Sequence, residues 1–390
     1  MPASFIHDAV RTPFGRAGGA LSGVRPDDLA ALVMAATVER SGVDPARIDD
    51  VVFGDANQAG EDNRNVARFG ALLAGFPTTV TGTTVNRLCA SSLEAVIQGS
   101  RAVESGDATI VLAGGVESMS RAPFVMEKSA RPWPATGNPT LWNTSIGWRM
   151  VNPALPIGWT ISNGESAEKI AGERGITREE QDAFAVRSHR RAAEAWAAGV
   201  FDDEIVQVPG HEIDRDESIR ADTSMERLGG LRALFAAGGT VTAGNSSPIN
   251  DGASAVLIAA EGALPGDPLA RIVSRAAHGV DPDLFPIAPI EAANTALLRA
   301  GMTWEDVDVV ELNEAFASQS LACLRGWPDL DPEKLNVHGG ALAIGHPLGA
   351  SGGRIIGRAA HELARRGKGV AVVAICIGVG QGLAVVLERT

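Results

Sequence analysis

The chain predicts an α/β fold built from two related halves, and three observations carry that prediction. Apolar, β-branched runs alternate with helical patterns along most of the 390 residues, which is the signature of mixed sheets covered by helices. The alternation repeats after about 258 residues. Between the repeats lies a long stretch of different composition, rich in tryptophan and proline.

In the first half, residues 48–53 read as a strand, followed by a polar loop and a helix around 65–74. In the second half, residues 307–312 read as the matching strand, with residues 313–324 as its helix. Asp50 and Asp308 are 258 positions apart, and Cys89 and His346 are 257 apart. Later apolar strands follow at 108–113 and 369–375. Equal offsets place Cys89 and His346 at equivalent points of the two halves, where pseudo-symmetry brings helix N-termini together. These halves are read as residues 1–119, completed by about 245–266, and residues 267–390.

The intervening segment, 120–244, holds Trp133, Trp142, Trp148 and Trp159, four of the chain's seven tryptophans. Flexible linkers rarely carry so many large aromatics, so it reads as an ordered excursion. Two helices follow within it, at 165–174 and 178–198. Thr177 is the expected N-cap of the second, with Glu180 completing a capping box. The tryptophans can shape a substrate wall or seal a subunit interface, since aromatics serve both purposes.

Composition narrows the function. Only three cysteines are present, which is no disulfide framework and fits a reducing cytoplasm. The net charge of −13 disfavours a general nucleic-acid role. An anionic ligand must then rely on local positive charge. No apolar run is long enough to span a membrane, and neither a signal peptide nor a C-terminal retention address is read at the termini.

The chemistry gathers at three places. Residues 336–353, Asn336-Val-His-Gly-Gly-Ala-Leu-Ala-Ile-Gly-His346-Pro-Leu-Gly-Ala-Ser-Gly-Gly353, surround His346 with glycines. Such clusters occur where backbone turns sharply or meets a ligand, and a helix is expected at 354–366. Cys89 lies where a β-branched run gives way to a helical pattern, so its sulfur is expected at a helix N-terminus that favours the thiolate. Cys376 ends an apolar strand entering the loop Gly378-Val-Gly-Gln-Gly382. Taken singly, each cysteine reads as a small buried hydrophobe. Together with His346 they read as a nucleophile, a base and a second acid/base. A zinc site is disfavoured by the absence of short ligand spacing, and no metal is expected. Cys323, on a helical pattern, reads as core.

These motifs resemble the thiolase family. The resemblance runs nearly end to end, through Ala9-Val-Arg-Thr-Pro-Phe-Gly15, Arg87-Leu-Cys-Ala-Ser-Ser92, Ala113-Gly-Gly-Val-Glu-Ser-Met-Ser120 and Thr240-Val-Thr-Ala-Gly-Asn245. It continues through Glu311-Leu-Asn-Glu-Ala-Phe-Ala317, Gly345-His-Pro-Leu-Gly349 and Cys376-Ile-Gly-Val-Gly-Gln-Gly382. It implies a five-layered α-β-α-β-α arrangement with two stacked sheets, and makes residues 120–244 a loop domain for coenzyme A and oligomer contacts. It implies acyl transfer through an acyl-Cys89 intermediate, with His346 taking the thiol proton. Cys376 is the second acid/base, a task suited to a thiol of ordinary pKa. The N–H groups of Cys89 and Gly378 hold one oxyanion, while His346 and Asn313, through a water, hold the enolate. Glu314 orients its neighbours; Asn313 also reads as a helix N-cap.

By the same resemblance Arg220, Phe235, Ala243, Gly244, Ser247 and Phe316 line the coenzyme A path. Arg220 suits a phosphate or the adenine plane. Coenzyme A is a substrate, and no cofactor is expected. The expected partners are acyl-CoA and coenzyme A, without nucleic acid or membrane, in a homo-oligomer that is a dimer or a dimer of dimers. Two departures stand out. Ser162-Asn163 replaces the His-Met of many biosynthetic thiolases, and His338 replaces an asparagine, which is expected to alter the polar shell around His346. The motifs at 115–126 and 376–382 are similar to degradative thiolases, notably those acting on 3-oxoadipyl-CoA, in fatty acid or aromatic degradation. The nearest alternative is a biosynthetic acetoacetyl-CoA thiolase. A non-catalytic, thiolase-like lipid-binding protein would lack a catalytic residue, and none is missing.

Overall fold

The computed structural model describes residues 3–129 and 137–390; Trp133 and its flanking prolines lie outside them. The first half runs β1 (Ser4–Arg11), β2 (Gly15–Arg16), α1 (Pro26–Ser41), β3 (Asp50–Gly54), α2 (Val66–Leu73), β4 (Thr81–Val85), α3 (Ser91–Ser105) and β5 (Ile110–Ser118). The excursion contributes the hairpin β6 (Phe124–Met126) and β7 (Leu141–Asn143), then α4 (Asn163–Glu173), α5 (Arg178–Ala197) and α6 (Met225–Gly229). The chain returns in β8 (Asn250–Ala260). The second half is β9 (Ala270–Gly279), α7 (Ala288–Ala300), β10 (Val309–Leu312), α8 (Ala317–Gly326), α9 (Ala341–Ile344), α10 (Leu348–Arg366), β11 (Gly369–Ile377) and β12 (Gln381–Arg389).

Strand alternation sorts the side chains into layers. On β5, Val111 and Ala113 face a central cluster while Ile110 and Leu112 face α1. On β11, Ala371, Val373 and Ile375 face the same central cluster, whereas Val372 and Ala374 face α7 and α8. Successive strand residues point to opposite faces, and strands buried on both faces read as continuous apolar runs. Helices α3 and α10 supply Leu93, Val96, Ile355 and Ile356 to the centre. The result is α–β–α–β–α layering.

The two sheets are nevertheless one by hydrogen bonding. Strand order is β10-β11-β12-β9-β1-β8-β5-β3-β4, with β2 pairing β8. The seam is short: β1 pairs β9 only over Ser4–Ile6, against Ser4–Arg11 with β8. Beyond it the halves diverge and admit α3 and α10 between them.

The duplication holds for most elements, β3, α2, α3 and β5 matching β10, α8, α10 and β11, whereas β4 is matched only by an isolated bridge of Leu335 to Val310. Asp49, not Asp50, is the counterpart of Asp308. Asp49 donates its N–H to Ile110 O, as Asp308 does to Val370 O, both at 2.9 Å. Their carboxylates cap the starts of β5 and β11. Helix boundaries differ where tertiary pairing intervenes. The helix expected from 313 begins at Ala317, because Asn313 N–H extends the ladder to Ala374 O at 3.0 Å. Residues 315–317 are also held extended against 245–247, so Phe316, not Asn313, is the N-cap. The helix expected from 354 begins at Leu348, for the glycines there serve close packing. A Cβ on Gly352 would sit 2.3 Å from Leu93 N. Both capping boxes of the excursion are formed, Ser162 with Glu165 and Thr177 with Glu180. Among the described residues no helix is long and apolar enough to cross a membrane.

Candidate active site

Cys89 is presented by a strained turn. After β4 the chain forms a single 3-10 turn, Leu88–Ala90, before α3. Asn86 Oδ1 accepts the Leu88 N–H, and Ser91 Oγ bridges the Arg87 N–H and the Leu88 carbonyl. These bonds hold Leu88 at φ 47°, a left-handed conformation that costs a branched side chain about 1–3 kcal/mol. The N–H groups of Gly378 and of Cys89 itself are directed at the sulfur. Burial still dominates and pushes the thiol up to about 11, with the Glu117 carboxylate adding to it. The expected helix-stabilised thiolate is therefore absent from the resting protein. A buried sulfur loses more by desolvation than two amides return.

His346 occupies the matching position before α10. Gly345, at φ 113°, turns the chain, and the side chain of Asn250 fills the space a Cβ would need. Asn250 Oδ1 accepts the His346 N–H at 3.0 Å. His346 Nδ1 lies 2.6 Å from Ser351 Oγ, which donates to Pro347 O at 2.9 Å. Ser351 has one proton, so both bonds form together only if Nδ1 carries the imidazole hydrogen. Nε2 is then a bare base. It faces Asn313 Nδ2 at 3.4 Å, while Asn313 Oδ1 is buried without a partner among the described residues. Burial, and then the charge of Arg354, hold His346 neutral by lowering its pKa to about 3.

Cys376 is the penultimate residue of β11, opposite Gly382 of β12, and packs with Ala315, Phe316, Val241 and Phe285. It is fully buried. Burial first, then the neighbouring thiols of Cys89 and Cys323, push it well above the ordinary cysteine range, so it rests as an acid rather than near neutrality. Gly378 is not required by backbone conformation. A Cβ there would make only ordinary contacts, 3.7 Å from Asn163 Oδ1 and 3.8 Å from Leu88 Cδ1. The strain sits on Val379, at φ 69°. Two strained non-glycine residues thus flank the paired amides of Cys89 and Gly378, one on each half.

This arrangement sits on a chain whose residues 4–262 match the family profile of the thiolase N-terminal domain and whose residues 266–389 match that of the thiolase C-terminal domain. The chain belongs to the thiolase family. It is an acyltransferase that moves an acyl group from a 3-ketoacyl-CoA to coenzyme A. It is similar to the beta-ketoadipyl-CoA thiolase of Escherichia coli, with 50% identity over 100% of both chains. The beta-ketoadipyl-CoA thiolase of Acinetobacter baylyi is 48% identical, again over 100% of both. Among solved structures, human mitochondrial 3-ketoacyl-CoA thiolase in complex with CoA has a TM-score of 0.93 at 38% identity. That match covers 100% of this chain and 98% of the other.

The remaining thiolase positions fall into two groups. Phe235 meets Phe316 edge-on at 6.3 Å, Ser247 N–H donates to Ala315 O at 3.0 Å, and Ala243 and Gly244 lie on the same loop. Arg220 stands apart on the segment after Asp216, where its N–H donates to His189 Nδ1 at 3.2 Å. Its exposed guanidinium joins none of the ion pairs among the described residues. Glu314 is fully engaged by Ser188, Asn336 and Leu342 N–H. His338 does not reach the shell of His346. Its Nε2 pairs with Glu362 at 2.9 Å, toward the far end of α10.

Sequence reasoning missed Asn250, Ser351 and Glu117. Ser351, five residues after His346 in the quoted glycine-rich stretch, and Glu117, inside the quoted 113–120 motif, carried a signal. Glu117 is buried and accepts the N–H groups of Ala56, Asn57 and Gly349, stitching the two halves beside Cys89. Burial pushes it up to about 7 against those bonds. Asn250 carried no signal, since it reaches His346 only through the fold.

Proposed function

We propose that the protein is a degradative thiolase whose substrate is a short dicarboxylic 3-oxoacyl-CoA of the 3-oxoadipyl class. The relatives named for that substrate, at about half identity over the whole chain, support the class. The observation that carries the chemistry is the convergence of the Cys89 and Gly378 N–H groups beside the Cys89 sulfur, where the carbonyl oxygen of a carbon bonded to that sulfur would become the oxyanion.

In this reading the Cys89 sulfur attacks the C3 carbonyl and its proton passes to His346 Nε2. The C3 oxyanion is held by the two amides. Collapse breaks the C2–C3 bond, the electron pair leaves as the enolate of acetyl-CoA, and the Cys376 thiol supplies the proton to C2. His346 N–H and Asn313 hold the enolate oxygen. Coenzyme A then gives its thiol proton to the Cys376 thiolate, its sulfur takes the acyl group, and the departing Cys89 thiolate takes back the proton held on His346 Nε2. No metal or organic cofactor enters. The free Arg220 and the Phe235–Phe316 pair suit the phosphates and pantetheine of coenzyme A.

A homo-oligomer is proposed from the free outer edge of β4 and the exposed Phe69, Leu72 and Leu73 on adjacent α2. Unpaired edges are usually covered, and sedimentation velocity showing only a monomer would exclude it. Three free thiols suit a reducing cytoplasm.

The test is a thiolysis panel of acetoacetyl-, 3-oxohexanoyl- and 3-oxoadipyl-CoA, with kcat/KM highest for the last. Preference for acetoacetyl-CoA restores the biosynthetic alternative. Alongside it, Cys376→Ser should still acylate Cys89 but lose α-proton exchange of acetyl-CoA by about 10²–10⁴-fold. Near-normal exchange removes Cys376 from the mechanism.

A further inference from the structure

The two amides beside the Cys89 sulfur come from opposite halves of the molecule, so their spacing depends on what joins the two loops. The turn that carries Cys89 is closed by its own bonds: Asn86 Oδ1 accepts the Leu88 N–H and Ser91 Oγ accepts the Arg87 N–H. These fix its shape and not its place. Helix α10, and with it His346, is tied to the first half by Gly349 N–H on Glu117 and Gly353 N–H on Ser92 Oγ, both at 2.8 Å. Neither bond reaches residues 378–380, which join β11 to β12. Among the described residues, the one backbone bond from that loop to a neighbouring element is Gly380 O accepting the Val280 N–H at 2.8 Å. Val280 belongs to the second half as well.

The half-buried Arg87 crosses the gap. Its Nη1 donates to Gln381 Oε1 at 3.0 Å, between residues 294 positions apart. Its Nε lies 3.0 Å from Glu94 Oε2. Glu94 is buried in the first turn of α3, and its other oxygen accepts from Gln98 Nε2 at 3.0 Å. The guanidinium is therefore anchored on the helix that follows Cys89 and reaches the residue that closes the Gly378 loop, since Gln381 pairs with Ile377 across it. This link also spans both strained turns. Leu88 follows Arg87 directly and Val379 lies two residues before Gln381, at φ 47° and 69°. Such backbone persists only where its surroundings over-determine it. A planar guanidinium suits the task because one rigid fork serves two acceptors, which an ammonium on a flexible stem does not.

We propose that Arg87 is a positioning residue that, through Gln381, sets the spacing of the Cys89 and Gly378 amides and so pre-forms the oxyanion site. The inference rests on the oxyanion role given to those amides above. Arg87 itself touches no reacting atom. Its effect belongs to the transition state, when the carbonyl oxygen becomes an anion and two donors from different halves must reach it together. Misplacement by about 1 Å at such a site slows the step by about 100-fold.

The experiment measures single-turnover acylation of Cys89 by 3-oxoadipyl-CoA and by acetoacetyl-CoA, read by intact mass, in the wild type, Arg87→Met, Gln381→Met and the double variant. Alkylation of Cys89 by iodoacetamide is followed in the same proteins. It uses the same sulfur and forms no oxyanion, so it reports folding and thiol access. No acyl group on wild-type Cys89 from either substrate defeats the reading on which the inference rests. With wild-type acylation established, each single variant should acylate about 10- to 100-fold more slowly, while the half-saturating acyl-CoA concentration and the alkylation rate move by less than about threefold. The double variant should be no slower than the single ones, since both break one link. Arg87→Lys should not restore the rate. Gln381→Met leaves the Arg87–Glu94 pair intact, so it decides the matter where Arg87→Met does not fold. Unchanged acylation in Gln381→Met, losses that multiply in the double variant, or alkylation slowed as much as acylation would each overturn the assignment and leave the oxyanion role of the amides standing.

Discussion

Cys89 and His346 stand two residues before α3 and α10, at the same point of two related halves, yet burial moves them in opposite senses. The thiol is pushed up to about 11 and the imidazole down to about 3. Desolvation disfavours the charged form of each, so it raises an acid that ionises to an anion and lowers one that ionises to a cation. The pair is therefore neutral at rest. A preformed thiolate–imidazolium pair would have to outweigh the desolvation of both groups, and the two amides at the Cys89 sulfur do not. Ionisation is left to the step in which the sulfur attacks, when the Cys89 and Gly378 amides acquire an oxyanion to hold. The halves also differ in how they bend. Leu88 carries strain at φ 47° where Gly345 turns freely at φ 113°, because the space beside Gly345 is taken by Asn250.

Removing either member should give the largest effects. Cys89→Ala should lose acylation and lower turnover by about 10⁴-fold or more, the scale of losing an enzyme nucleophile. His346→Ala should slow acylation of Cys89 by about 10²–10⁴-fold, as expected for a general base. Intact-mass time courses with acetoacetyl-CoA distinguish them. Acetyl transfer to Cys323 or Cys376 in the Cys89→Ala variant would break the assignment.

A second measurement sharpens the contrast without mutation. Alkylation of Cys89 by iodoacetamide in the absence of substrate should accelerate by about tenfold per pH unit from pH 7 to 10, because the thiolate is the reactive species and the thiol lies high. A rate that is already flat above pH 7 would show a preformed ion pair instead.

The smallest effect is on stability. The folded pKa of His346 lies below its unfolded value of 6.5. Between pH 6.5 and about 3 the unfolded chain therefore binds the extra proton. Stability falls as pH falls through that window and is complete above it, by at most about 1.4 kcal/mol per pH unit. His189, lowered to about 4 by burial, contributes with the same sign. His346→Asn should flatten the fall in urea midpoint between pH 6.5 and 4. Parallel slopes for variant and wild type would mean that His346 is not held neutral.

Much of this was legible in the residues. The alternation of strands and helices, the offset near 258 and the glycine-flanked His346 identified the halves and the two presented groups. Thr177 with Glu180 announced a helix start through chemistry confined to four residues. Such features depend on neighbours along the chain, so pattern suffices. The helix from Asn313 misled because its delayed start depends on Ala374 and on residues 245–247, all distant in sequence. The glycines of 349–353 likewise read as turn or ligand residues, and instead bring α10 against β5, α3 and β8.

By itself, then, the sequence determined the two-half α/β architecture, the family and the residue types of the chemistry, because periodicity, caps and motif order are local properties. Tertiary structure decided the charge state of that chemistry. It joined the sheets at the Ser4–Ile6 seam, directed the Gly378 amide at Cys89, and seated Asn250 and Ser351 on His346. Each of these depends on desolvation or on partners brought together only when the halves close on α3 and α10, and those quantities have no local signature.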